Sequence, residues 1–437
     1  MTAPTPPSTA STSTAARFPL FRLLVITGAI FVSVTSEFLP TGLLPDMAAD
    51  LHVSESRIGL LVTGFAATVV ISTAPLAVLT RRLSRKRLMV GLLLGFAVAN
   101  LMAAIAPSYE VLFAARVLGG LSHGLFWAVT GPYASHLVPR YQLARAVAVT
   151  SLGATVAFVA GIPLGTALGH ALGWRLSFGV MAAVVLIFTA LVIIFLPPVS
   201  HRDHVVVGAV TSPLRHDPTL PAVIILCLTV FLFATGQNAF YTYIAPWMIQ
   251  IVGFSADAIS PMLFAYGAAG VIGLALAGAF GDRFPRRWTL AMVTVGGVAV
   301  AGMAWSSSVV GAVVPLFLLW AVCFSGFPAV MQSRLLKAVS PRVRDIGAAS
   351  LTTSFNLAIG GGALLGGVVL DTWGIHLLPW VQVLLITVTI AFIVLMDRTT
   401  TPVEPDIAHD DPGRDPPETK RVPGEWGGRR STLDATD

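Results

Sequence analysis

The chain has 437 residues, 55% hydrophobic and 11% charged, with a formal net charge of +6. A soluble domain carries about 25% charged residues, so this composition excludes a soluble globular enzyme and points to an all-α membrane protein. No stretch shows the nucleotide-binding G-x-x-x-x-G-K-[ST] loop of an ATP-driven pump. His, Cys and acidic residues are scattered without metal-ligand spacing, so neither a metal site nor enzymatic catalysis is expected.

Residues 1–16 are Thr, Ser, Pro and Ala with almost nothing apolar to bury, and are expected to be a disordered tail. The first apolar run, 18–44, is too long and too polar at Glu37 for a signal peptide and is read as a membrane span. A carboxylate at membrane depth is costly and usually faces a bundle interior or a water-filled path. Phe38-Leu39-Pro40-Thr41-Gly42 follows, and the proline and glycine predict that the helix is interrupted just beyond Glu37.

Spans two to six are read at 58–80, 88–106, 111–135, 146–168 and 174–196. In span four, Arg116, Gly119, Gly120, His123 and Trp127 recur at helical spacing and share one face. With ~1.5 Å rise per residue, Glu37 lies at a depth between Arg116 and His123. Desolvation favours a neutral carboxyl, a nearby cation favours the charged form, and imidazole titrates near neutrality. Glu37, Arg116 and His123 are therefore the candidate proton-coupling residues. The alternative role for Arg116 is a structural pin on backbone carbonyls. In span five, Gly161, Gly165, Gly169 and Gly173 lie four apart, a spacing that lets helix backbones approach closely, while Pro163 removes a backbone donor and permits bending.

A polar loop, 197–219, divides the spans six and six. It separates an N-terminal bundle, 17–196, from a C-terminal bundle, 220–398. Spans seven to twelve are read at 221–246, 259–281, 288–306, 309–333, 346–370 and 377–396, and residues 399–437 form a second tail expected to be disordered. Span seven offers Gln237, Asn238 and Tyr241. With Trp127, with Trp320 and Phe324 of span ten, and with Asn356 of span eleven, they make a candidate substrate cavity of aromatic walls and few polar anchors. Cys227 and Cys323 fall inside spans and are expected to be free thiols.

Orientation follows from Lys and Arg. One side holds Arg17, Arg22, Arg81, Arg82, Arg85, Lys86, Arg87, Arg140, Arg145, Arg202, Arg215, Arg283, Arg286, Arg287, Arg334, Lys337, Arg342 and Arg344, and the other only Arg57 and Arg175. The positive-inside rule then places both termini in the cytoplasm. Charge spread over separate loops argues against nucleic-acid binding. A six-plus-six repeat with a central loop is a common build for secondary transporters.

Four motifs sharpen this. Gly278 to Arg287, with Asp282-Arg283 at its centre, is similar to a G-x-x-x-D-R-x-G-R-R signature, with Pro285 at the second glycine. Arg116 with Gly119, Gly120 and Gly124 resembles a fourth-helix arginine motif, and Gly161-Ile162-Pro163-Leu164-Gly165 an antiporter motif of helix five. Thr35 to Pro45 resembles the first-helix signature of a sugar-efflux subgroup. On these residues the chain is identified as a member of the major facilitator superfamily, in its proton-antiport efflux branch of sugar-efflux and drug-efflux carriers. In the N-terminal copy of the loop motif the aspartate position is Arg81 and the glycine Ser84, which leaves two alternatives: the intact copy at Asp282 is the main gate, or Arg81 pairs with another acid.

The resemblance implies twelve transmembrane helices in two six-helix bundles, with helices one and four lining a central cavity where Glu37, Arg116 and His123 could meet. It implies alternating-access export of a sugar-like or drug-like molecule against protons, driven by a proton gradient with no bound cofactor, by a monomer among cell-membrane lipids. Asp282 and Arg283 become gate candidates, and Gly161, Pro163 and Gly165 a joint between the halves. Proton-coupled import and, less well supported, a non-transporting membrane sensor are the alternatives.

Overall fold

The computed structural model describes residues 18–198, 217–340 and 342–396. Both predicted tails and most of the 197–219 loop lie outside the described residues. Twelve helices are long and apolar enough to cross a membrane, and no strand occurs among the described residues. They are α1 (Leu20–Asp50), α2 (Glu55–Leu79), α3 (Arg85–Ala104), α4 (Tyr109–His136), α5 (Leu143–Leu172), α6 (Trp174–Phe195), α7 (Leu220–Tyr241), α8 (Ala256–Phe280), α9 (Pro285–Trp305), α10 (Val310–Ala338), α11 (Arg344–Trp373) and α12 (Leu378–Met396). Helix α5 is two α-helical segments joined by a π-helical turn, Ala157–Gly161, and a second such turn, Met248–Val252, follows α7.

The short loops make neighbouring helices antiparallel. They place the α2–α3 and α8–α9 loops, with their arginines, at the end where α1 begins and α12 ends; this end is called the basic face. Helix starts are set by local chemistry: Ser54 and Ser84 have extended backbone, and their hydroxyls accept from the amides of Arg57 and Arg87.

The predicted interruption of α1 does not occur. The helix runs unbroken from Leu20 to Asp50 through Pro40 and Pro45. Pro40 has no N–H for the carbonyl four residues back, Ser36 O. Arg116 Nη1 supplies the missing donor at 2.8 Å, and Nη2 donates to Glu37 O at 2.7 Å. A cation from α4 thus satisfies the backbone that the proline left open, and the helix continues.

Glycine builds the seam between α1 and α5. A Cβ on Gly161 would lie 2.1 Å from Thr35 Oγ1, on Gly165 2.5 Å from Leu39 Cδ1, and on Gly169 2.4 Å from Leu43 Cδ2. The four-residue glycine spacing is therefore a close-packing face. The π-helical turn ends at Gly161, two residues before Pro163, where the helical hydrogen-bond ladder is already short of a donor.

The halves meet away from the basic face. Thr63 Oγ1 of α2 donates to Gly360 O of α11 at 3.0 Å, Ser260 Oγ of α8 to Pro163 O of α5 at 2.7 Å, and Gln250 Nε2 to Glu55 Oε1 at 2.8 Å. Toward the basic face the same helices part. Val147 and Leu152 on α5, Ile71 and Val78 on α2, and Thr352 and Thr353 on α11 are exposed.

Candidate functional site

The three residues matched by depth do come together, inside the N-terminal half. Glu37 from α1 and Arg116 and His123 from α4 are all buried. Arg116 is directed at the α1 carbonyls described above and its guanidinium stacks 4.4 Å over the Phe65 ring of α2. It is thus a backbone pin first, and its charge is delivered beside the Glu37 carboxyl as a consequence. His123 Nε2 stands 3.4 Å from Glu37 Oε2. Phe65 and Phe96 meet the imidazole edge-on with ring centroids 5.2 and 6.0 Å away, which keeps the pair dry.

Two further contacts fix the imidazole. Trp127 Nε1 donates to His123 Nε2 at 2.8 Å, and Nδ1 lies 3.0 Å from Ser33 Oγ. An indole N–H can only donate, so Nε2 presents its lone pair and Nδ1 carries the hydrogen shared with Ser33. Sequence reasoning passed over Ser33 and also Asn100 of α3. Asn100 Oδ1 accepts from Ser36 Oγ at 2.9 Å while its amide donates to Phe96 O. A lone asparagine in an otherwise apolar span was the available signal.

In the C-terminal half Gln237 is the centre of a polar knot. Its Oε1 accepts from Trp320 Nε1 at 2.7 Å and from Gln382 Nε2 of α12 at 2.9 Å, and its Nε2 donates to Tyr266 Oη of α8 at 3.0 Å. Tyr241 packs on Tyr266 and Trp320 with centroids 5.1 and 6.1 Å apart. Gln237, Tyr241 and Trp320 therefore form one unit, with Tyr266 and Gln382 as members the sequence reading missed. The other cavity candidates are placed apart. Phe324 stacks on Phe233, Asn238 donates to Ala234 O within its own helix, and Asn356 donates to Thr352 O nearer the basic face. Cys227 and Cys323 are free.

At the basic face Asp282 Oδ1 accepts from Lys337 Nζ at 2.8 Å and Ser333 Oγ at 2.6 Å, tying the α8–α9 loop to α10. These hydrogen bonds, first that from Lys337, hold the Asp282 carboxyl below the ordinary carboxylate range. The bridge is therefore present at neutral pH and lost only as pH falls through that depressed value. Arg283 turns away to stack on Phe284. Asp282→Asn is expected to change stability by no more than about 1 kcal/mol, as for an exposed pair, while slowing transport several-fold. Transport at the parental rate, with equal protein in the membrane, would remove Asp282 from the gate.

Two helical bundles sealed against each other at one face, each with a buried polar cluster, make the architecture of a multi-pass membrane protein. The sequence profile of the Major Facilitator Superfamily matches residues 26–234 and 226–431. The chain belongs to that family and is a transporter of small molecules. It is 32% identical to a probable sugar efflux transporter of Mannheimia succiniciproducens over 87% of this chain and 94% of that one. It is 30% identical to a probable sugar efflux transporter of Helicobacter pylori strain G27 over 84% and 92%. Among solved structures, a bacterial homologue of the human lysosomal transporter Spinster, inward-facing and unoccupied, superposes with a TM-score of 0.69 at 17% identity, covering 87% of this chain and 98% of that one. The human organic anion transporter MFSD10 gives 0.65 at 16% identity over 86% and 100%. At these identities the structural likeness is one of fold.

Proposed function

We propose that this carrier exports a small organic molecule, sugar-like or amphiphilic, from the cell in exchange for protons. The observation that carries the reading is the Glu37–His123 pair, 3.4 Å apart and closed off by aromatic rings, with the Arg116 charge pinned beside it. A carboxyl and an imidazole in that setting can pass one proton between them while the surroundings bias where it rests. The relatives' printed description as sugar efflux transporters supports a polyhydroxylated substrate. The glycine and proline features of α5 support antiport over import, and a gradient of protons is the only energy source the reading needs. The carrier works as a monomer, with no bound cofactor or metal and with lipid, substrate and protons as its partners.

The concentration of Lys and Arg at the basic face supports a cytoplasmic position for that face. The halves are then sealed outside and open inward. A reporter fused after residue 396 is expected to be cytoplasmic; external reporter activity would reverse the orientation. For the function itself, purified protein in proteoliposomes is loaded with radiolabelled sugars and given a pH gradient. Gradient-dependent movement of at least one sugar is expected. Movement of sugars that ignores the gradient would sink the antiport reading.

A further inference from the structure

One lone pair in the buried cluster has two claimants. His123 Nε2 accepts the Trp127 indole N–H at 2.8 Å and also faces Glu37 Oε2 at 3.4 Å. The ring's other nitrogen is committed to Ser33 Oγ at 3.0 Å, so the imidazole has no spare acceptor to offer. The charged or titratable groups acting on His123 are Glu37, from α1, and Arg116, from α4 itself. From α2 and α3, the uncharged rings of Phe65 and Phe96 face it. Trp127 shares the inward face of α4 with Arg116 and His123, yet it is 40% exposed where they are almost wholly buried. Its ring therefore stands at the border between the dry cluster and the space that opens toward the basic face.

We propose that Trp127 is a positioning residue whose hydrogen bond to His123 excludes protonation of Nε2, so that proton transfer from Glu37 and release of the indole into the interhalf space are one event. This rests on the proton-coupled reading above. In the transfer, the Glu37 O–H bond breaks and an Nε2–H bond forms. The negative charge is left on the carboxylate and the positive charge on the imidazolium. The Trp127 N–H then faces a donor at Nε2 and loses that acceptor, and the ring turns away. A partly exposed indole freed at the wall of the opening can stack on a sugar-like ring, so the state of the proton is read out where a substrate would lie. A lone carboxylate could bind and release protons without informing the cavity wall; the shared nitrogen supplies that link.

The test uses the full chain, labelled with 5-fluorotryptophan and purified in detergent. The Trp127 resonance is assigned by its loss in Trp127→Phe. It is expected to move between two positions as pH is lowered and Nε2 gains its proton, and to stay fixed in His123→Asn. Trp127→Phe keeps an aromatic ring on the α4 face and removes the indole N–H together with the pyrrole part of the ring. It is expected to displace the pH dependence of sugar exchange upward by roughly 0.5–1 pH unit, the equivalent of one hydrogen bond. A stationary Trp127 resonance, or a Trp127→Phe profile superimposable on the parental one, overturns the proposal. A packing role alone would lower the rate and leave the profile in place. If sugar exchange in the parent proves independent of pH, the antiport reading fails, while the resonance still decides whether His123 and Trp127 are coupled.

Discussion

Glu37→Gln is expected to reduce pH-gradient-driven transport to background while leaving sugar exchange without a gradient close to the parental rate. The two carboxyl oxygens become an amide of nearly the same shape. The α1 carbonyls keep their bonds to Arg116, because those end on the main chain and not on the Glu37 side chain. What disappears is a group able to gain and lose charge at a site only 5% exposed. Folding and sugar binding should therefore survive. The two assays separate coupling from assembly: loss of both would mean structural damage, checked by thermal stability. A Glu37→Gln protein that responds to the gradient like the parent would show that the carboxyl is structural.

Gly267→Val is expected to disfavour the arrangement in which the face away from the basic loops is sealed. A Cβ on Gly267 of α8 would lie 2.4 Å from Phe158 O and 2.6 Å from Val159 Cα, both backbone atoms of the π-helical turn in the other half. Rotating a side chain cannot relieve that contact; the halves must separate. Overpacking of this kind costs about 1–3 kcal/mol, which changes a two-state ratio by roughly 5- to 150-fold. Spin labels placed at Arg57 and Ala256 report the separation directly. A broader, longer distance distribution and slowed transport are expected. An unchanged distribution would mean that the contact does not control closure.

The number of spans was legible because each apolar run approaches the length needed to cross hydrocarbon: twelve were read, and twelve helices long and apolar enough to span occur among the described residues. Their ends were less legible. α1 and α4 extend beyond the predicted 18–44 and 111–135, to Asp50 and His136, since a helix continues into the interface where its terminal residues are polar. The reading of Pro40 as a break failed for a specific reason. Proline's missing donor is visible in sequence, but the arginine that replaces it comes from another helix, 80 residues away. The meeting of Glu37, Arg116 and His123 was accessible from depth alone. The hydrogen bond between Trp127 and His123 follows from their four-residue spacing, yet their separate assignment to cavity and proton site hid it. Gln382 and Tyr266 were not found because a single amide or phenol in a late span has no sequence partner; only packing shows that both serve Gln237. Asn238 was placed with the cavity on spacing, but its amide is spent on its own helix.

The manner in which Arg116 is held has a consequence for the constancy of its influence. Its two short hydrogen bonds end on main-chain oxygens, whose partial charge does not change when side chains exchange protons. A guanidinium anchored to the Glu37 carboxylate itself would relax whenever that carboxylate was neutralised, and the electric field it exerts would drift with the cycle. Bound to the backbone, the cation behaves as a clamped electrode. The potential at the neighbouring carboxyl is then set by geometry, and only the movement of the helices resets it.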